Sequence, residues 1–179
     1  MNTRFKFAFF LVIFLFISAC GQNNLPAPSC RVNANYISNH QGPAACIIVK
    51  QGKLLTKQLN SGQYDLVHGG ASQLRSAQCS AHYAMWQQTG LNVEIENVVG
   101  VFDDGTWLFG CNLESGFDGS EEPFKAPAWS SPDVDNILFI DPFTIEHKNW
   151  RDPARFITVR DAYIEQKNYQ KQTKIPSNE

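Results

Sequence analysis

The sequence lacks three features that would have placed it in common functional classes. It has no basic excess, since 15 Lys and Arg residues stand against 17 Asp and Glu residues, and so it offers no electrostatic footprint for nucleic acid. No segment after residue 20 approaches the roughly 20 apolar residues that a membrane-spanning helix needs. No two of the five cysteines form a C-x-x-C pair, which is the spacing typical of zinc sites.

The N-terminus has the order of segments that is typical of a secretory signal. Two basic residues precede an almost wholly apolar run, 7–17, which ends in small residues before Cys20. The Ile-Ser-Ala-Cys segment resembles the lipobox of bacterial lipoproteins, whose cysteine carries the lipid. The alternative is an ordinary cleaved signal beside an ordinary cysteine. Because Gly21 rather than Asp follows, the resemblance implies attachment through Cys20 to the periplasmic side of the outer membrane.

Composition then divides the chain into four parts. We expect a signal peptide at 1–19, a lipidated cysteine with a polar, proline-broken tether at 20–40, one folded domain at 41–167, and a polar tail at 168–179. The folded part is long enough to bury a real core.

Four cysteines remain after the lipobox cysteine, namely Cys30, Cys46, Cys79 and Cys111. An even number of thiols in an oxidising compartment favours disulfides, with buried structural thiols as the alternative. Four thiols allow three pairings, and the sequence does not choose among them.

Hydrophobic periodicity predicts alternating short strands and two helices. The predicted strands are 44–49, 53–59, 63–67, 92–102, 106–113 and 137–140, and the predicted helices are 77–88 and 155–166. Ser76 and Gly90 suit the two ends of the first helix, and Asp-Asp-Gly at 103–105 predicts a hairpin. Residues 115–133 read as a long surface loop. The pattern indicates a layered α/β or α+β domain.

Residues 45–113 resemble the core of a Nudix hydrolase domain. The resemblance is carried by the order of the elements and by two segments, Tyr-Asp-Leu-Val-His-Gly-Gly at 64–70 and Gln-Gln-Thr-Gly-Leu at 87–91. The family's signature is Gly, five residues, Glu, seven residues, Arg-Glu, an aliphatic residue, one residue, Glu-Glu, one residue, Gly and an aliphatic residue. The resemblance implies an α/β/α sandwich around a mixed sheet.

Counted from Gly69, the chain keeps the spacing of that signature but has none of its glutamate and arginine residues. The framework positions are acceptable and are held by Gly69, Met85, Gly90 and Leu91. The positions that carry the family's chemistry are held by Arg75, Tyr83, Ala84, Gln87 and Gln88, in place of Glu, Arg, Glu, Glu and Glu.

The substitutions matter because the family's carboxylates hold Mg²⁺, which activates water against a diphosphate. Ala84, Gln87 and Gln88 still share one helix face, since they lie three and four residues apart. They offer only neutral groups, whereas Mg²⁺ is usually held through one or two carboxylates. The resemblance therefore implies a degenerate Nudix box, with no metal site and no catalytic residue.

We accordingly expect a lipid-anchored pseudoenzyme that needs no cofactor and binds a small molecule or another envelope protein. The candidate ligand cleft is formed by Gly69, Gly70, Arg75, Gln87 and Gln88. The alternative is an active, Mg²⁺-dependent hydrolase of a diphosphate-linked compound, which would use other carboxylates such as Glu94 and Glu96.

Two further groups have a functional and a structural interpretation. His82 and Cys79 are three residues apart on one helix, which suits metal binding or simple packing. Trp86, Trp107 and Phe109 would line a pocket for a ring-bearing ligand or belong to the core.

Overall fold

The computed structural model describes residues 26–114 and 123–173. The predicted signal peptide, Cys20 and the last six residues lie outside the described residues. Within the described parts, no helix combines the length and the apolar character that crossing a bilayer requires.

The described chain contains nine strands and two α-helices. The strands are β1 Ala44–Ile47, β2 Val49–Lys50, β3 Lys53–Leu59, β4 Tyr64–Asp65, β5 His68–Gly69, β6 Val93–Val101, β7 Trp107–Leu113, β8 Phe124–Lys125 and β9 Val134–Ile140, and the helices are α1 Ala77–Thr89 and α2 Phe156–Thr173.

The strands form two sheets. The first sheet has the order β5-β1-β7-β6, and the second has the order β2-β3-β9-β8 with β4 added to β3. The first sheet is mixed, because β1 and β7 are parallel while β5 and β6 run antiparallel to their neighbours. The predicted hairpin at 103–105 is confirmed as the antiparallel β6–β7 pair.

The two helices cover opposite sides of the sheets. On β1, Ala44 and Cys46 belong to the apolar cluster that contains residues of α1, whereas Ala45 and Ile47 belong to the cluster that contains residues of α2. Because alternate strand residues point to opposite faces, this pattern defines an α/β/α sandwich. The expected fold class is confirmed.

Helix α1 begins and ends as its sequence predicts. The Ser76 side chain accepts a hydrogen bond from the Cys79 backbone N–H, and Gly90 has a φ of 72° at the other end. A left-handed residue at this position is well served by glycine, which has no Cβ to clash.

Helix α2 is longer than its sequence predicts, ending at Thr173 rather than near residue 166. The extra turns are held by polar contacts with the domain. The Tyr169 and Tyr36 hydroxyls are 2.8 Å apart, and Gln170 Nε2 donates to the Val49 carbonyl at 3.1 Å. The predicted polar tail is therefore helical over its first residues.

The four cysteines are paired as Cys30–Cys79 and Cys46–Cys111. The second bond joins the neighbouring strands β1 and β7 inside the apolar cluster on the α1 side. The first ties the segment before β1 to helix α1. Both bonds have structural positions, as the even cysteine count suggested.

Candidate functional site

Gly69, the first glycine of the expected box, allows β5 to pack closely against α1. A Cβ on Gly69 would lie 2.8 Å from the Ser80 carbonyl oxygen and 3.1 Å from the Ala84 Cβ. Any larger residue at position 69 would push the strand away from the helix. This close approach brings the box positions on α1 beside His68 and Gly69.

A cleft of about 320 Å³ lies between β5, the loop that follows it and α1, and we call it the box cleft. It is lined by His68, Gly69, Gly70, Ala71, Ser72, Arg75, Ser80, Tyr83, Ala84, Gln87 and Gln88. The structure thus brings together all the predicted cleft residues and the five positions that the resemblance assigned to a degenerate box.

A second cleft of about 380 Å³ adjoins the first, and we call it the lysine cleft. It is lined by Lys57, His68, Gln87, Gln88, Trp129, Ser130, Ser131, Asp133, Val134 and Arg151. The two clefts share His68, Gln87 and Gln88. A ligand that contacts Gln87 and Gln88 therefore also reaches Lys57 on β3 and the segment around Arg151.

Gln88 is held at both ends of its amide. Its Oε1 accepts a hydrogen bond from Lys57 Nζ at 3.0 Å, and its Nε2 donates to the His68 carbonyl at 2.7 Å. An ionised glutamate has no hydrogen to donate to the His68 carbonyl. The neutral amide is therefore the group that suits both neighbours at this position.

Lys57 is buried, and its charge is paired. Lys57 on β3 lies opposite Asp65 on β4, and its ammonium is 3.4 Å from Asp65 Oδ2. Two further basic side chains reach the same oxygen at 3.5 Å, those of His68 and Arg151. Burial alone would raise the pKa of Asp65, but the contacts with His68 and Lys57 outweigh it and hold that pKa below its ordinary value.

Arg75 and Tyr83 contact each other at the outer end of the box cleft. The guanidinium carbon of Arg75 lies 4.0 Å above the centre of the Tyr83 ring, a cation–π arrangement. Arg75 is exposed, so its charge is available to a ligand in the cleft.

The alternative carboxylates lie elsewhere. Glu96 accepts hydrogen bonds from Asn112 Nδ2 at 2.6 Å and from Gln166 Nε2 of α2 at 3.3 Å. Its neighbour Ile95 packs on the α1 side, so Glu96 faces away from the box cleft. The loop acids at positions 118, 121 and 122 lie outside the described residues.

The described residues of the box cleft do not fit the Mg²⁺ that the intact family signature would hold. Among residues 26–114 and 123–173, no three His, Cys, Asp or Glu side chains are grouped so as to hold a metal ion. Gln88, which stands where the family signature has a glutamate, instead contacts the ammonium group of Lys57.

The other candidates take structural roles. His82 is buried against Asn92 at 3.1 Å, burial lowers its pKa, and Cys79 is in a disulfide. Phe109 is fully buried in the core. Trp107 stacks on His40 with ring centres 3.8 Å apart, away from both clefts.

Trp86 stacks on Trp129, with ring centres 6.0 Å apart. Trp129 lines the lysine cleft, and sequence reasoning missed it together with Lys57, Asp65 and Arg151. One signal was available: Lys57 falls between Leu55 and Leu59 on the strand face that alternation predicts to be buried.

No protein-family model matches the chain, and no curated protein matches it in sequence. Solved structures do match. A Nudix hydrolase from Nitrosomonas europaea aligns with a TM-score of 0.54 and 16% identity, over 74% of this chain and 90% of that one.

The chain has a Nudix-like fold. Two more structures agree: a UDP-X diphosphatase with a TM-score of 0.54 and 14% identity over 94% of this chain and 82% of its own, and an ADP-ribose pyrophosphatase from Streptococcus suis with a TM-score of 0.52 and 16% identity over 72% and 90%. At these identities the Nudix-like likeness concerns the fold alone.

Proposed function

We propose that this chain is a lipid-anchored periplasmic protein whose Nudix-like domain binds a small anionic ligand in the two adjoining clefts and does not hydrolyse it. The observation that carries the proposal is the amide of Gln88, which is bonded at both ends to Lys57 and His68. In the signature of the family, a metal-binding carboxylate stands at this position.

Loss of hydrolysis is supported by the electrostatics of α1. The helix contains no acidic, lysine or arginine residue, and burial lowers the pKa of its His82. A divalent ion that polarises a phosphate or activates water supplies several kcal/mol of transition-state stabilisation. A neutral helix face gives no basis for that contribution.

Binding of an anion is supported by the cations along the clefts. Arg75, which is exposed, lies at the outer end of the box cleft. Lys57 and Arg151 line the lysine cleft together with Asp133, and both contact Asp65 at 3.4 and 3.5 Å, so Arg75 is the cation on which the proposal mainly rests. Removing the family's carboxylates also removes the repulsion that a phosphate group would meet in the absence of Mg²⁺.

Calorimetric titration of the full-length chain with pyrophosphate and nucleoside diphosphates, with a chelator present, tests the proposal. We expect binding that weakens about ten-fold in Arg75→Gln, since a charge-assisted contact is lost. Arg31→Gln, which removes a half-exposed arginine paired with Glu114, is the matched control. Absence of heat at millimolar ligand, or Mg²⁺-dependent release of phosphate by the native chain, would contradict it.

The membrane anchor is supported by the lipobox resemblance at Cys20 and by two disulfides, which are typical of oxidising compartments. We expect the full-length chain to partition into the detergent phase of a phase-separation assay and Cys20→Ser to move to the aqueous phase. Detergent partitioning that is unchanged in Cys20→Ser would contradict lipidation at this residue.

A further inference from the structure

The buried ammonium group of Lys57 contacts α1 at Gln88, where the intact family signature has a metal-binding glutamate. Lys57 Nζ is 3.0 Å from Gln88 Oε1, and Lys57 is only 5% exposed. A divalent ion bound at position 88 would need that same oxygen as a ligand, at about 2.1 Å for Mg²⁺. The ammonium group therefore fills the space beside Gln88 Oε1 in which the ion would have to bind.

The orientation of the amide supports this arrangement. Gln88 Nε2 donates to the His68 carbonyl at 2.7 Å, so Oε1 faces Lys57. The reversed amide would set its NH₂ group against the ammonium and its oxygen against the carbonyl, and both contacts would be repulsive.

The ammonium is also held from its other side. Asp65 lies directly across from Lys57 in the β3–β4 pairing, with its Oδ2 at 3.4 Å from Nζ. Withdrawing Lys57 from the cleft would break a buried ion pair, and breaking such a pair is costly. The cation is therefore a fixed part of the site.

We infer that Lys57 is a resident cation that takes the place of the divalent ion and excludes Mg²⁺ and Mn²⁺ from the cleft. The exclusion has two causes. The ammonium repels a second cation at close range, and a carboxylate restored on α1 would pair with Lys57 before it could bind a metal.

This inference goes beyond the proposed function, because it does not depend on whether the clefts bind an anion. If Lys57 controls metal binding and no anion binds, only the proposed function fails. If an anion binds and Lys57 has no influence on metal binding, only this inference fails.

The test restores two carboxylates with and without the lysine, in the full-length chain. Gln87→Glu/Gln88→Glu changes two side chains without changing their size, and a second variant adds Lys57→Gln. Mn²⁺, which suits carboxylate ligands as Mg²⁺ does, is titrated while its free signal is followed by electron paramagnetic resonance.

We expect the double variant to bind Mn²⁺ within about two-fold of the native chain, and the variant that also lacks Lys57 to bind at least about ten-fold more tightly. Adding Lys53→Gln instead removes an exposed lysine of the same strand and leaves binding at the level of the double variant. Tight Mn²⁺ binding by the double variant, or an equal gain from Lys53→Gln, would overturn the inference.

A measurement on the native chain requires no substitution. The side-chain amide resonances of Gln88 are expected to stay sharp when Mn²⁺ is added to about 1 mM, because the paramagnetic ion is kept from the amide. Selective broadening of the Gln88 resonances, relative to those of Gln170 on α2, would overturn the inference even if the Lys57 variants did not fold.

Discussion

The α1 side and the α2 side of this domain each bury an ionisable side chain, and the two side chains differ in their hydrogen-bond and ion-pair partners. Lys57 on the α1 side has a carboxylate partner, Asp65, and donates to an amide oxygen. Glu96 on the α2 side receives hydrogen bonds only from the neutral amides of Asn112 and Gln166 among the described residues.

The contrast shows in the two carboxyl groups. The pKa of Asp65 lies below its ordinary value, because its basic neighbours outweigh burial. The pKa of Glu96 lies above its ordinary value, because burial dominates and nearby Glu94 adds repulsion. The ionised form of a buried carboxyl group is thus favoured where basic groups pair with it and disfavoured where they do not.

The largest effect is expected from removing the paired cation. Lys57→Met should lower the free energy of unfolding by about 3 kcal/mol, because Asp65 keeps its burial and loses its cross-strand partner. Urea unfolding at pH 7 measures the loss, and Lys53→Met on the exposed part of the same strand is the control. Equal losses in the two variants would show that the pairing does not matter.

The close packing of β5 on α1 gives the next effect. Gly69→Ala should cost about 2 kcal/mol, because its Cβ would meet the backbone oxygen of Ser80 at 2.8 Å. Gly70→Ala is the matched control, since nothing lies within 4 Å of its Cβ, and it should stay within about 0.5 kcal/mol. Thermal unfolding distinguishes the two, and a tolerated Gly69→Ala would contradict the packing.

Acid should weaken the α1 side through Asp65. Its folded pKa is depressed below 3.8, so its contribution is present above that value and is lost as the pH falls through the folded pKa. We expect the stability of the native chain to fall by roughly 1–2 kcal/mol more than that of Asp65→Asn over this acid range. Parallel pH profiles for the two proteins would contradict the assignment.

The smallest effect is expected on the α2 side. The folded pKa of Glu96 is raised above 4.5, so its contribution is present below that value and is lost as the pH rises through the folded pKa. Glu96→Gln should therefore be as stable as the native chain or about 0.5–1 kcal/mol more stable at pH 7.

The same variant also places an NH₂ group beside the Gln166 amide, whose Oε1 is buried and without a hydrogen-bond partner in the described chain. Because Gln166 Nε2 is the atom that contacts residue 96, the Gln166 amide would turn over to accept from this group. Glu165→Gln, at an exposed position of α2, is the control, and urea unfolding at pH 4 and pH 7 is the measurement. A Glu96→Gln variant that is less stable at pH 7 would reverse the interpretation of this side.

Local chemistry made much of the fold predictable. The limits of α1 follow from Ser76 and Gly90, and the β6–β7 hairpin follows from its Asp-Asp-Gly turn. The last turns of α2 were not predictable, because their polar side chains show no periodic apolar face and are held by distant partners such as Tyr36.

The candidate site was predictable in part. Ala84, Gln87 and Gln88 lie three and four residues apart and were expected to share one helix face, and the structure brings them to one cleft. The helix pattern says nothing about Lys57, which is 31 residues away from Gln88 along the chain and reaches it only through the tertiary fold.

The sequence by itself determined that α1 carries no acidic residue and presents neutral Gln87 and Gln88, because side-chain charge is a local property. Only the tertiary structure decided which cation meets that helix. It also decided that Glu96 faces away from the cleft, because both depend on which strands pair and which side of a sheet each helix covers.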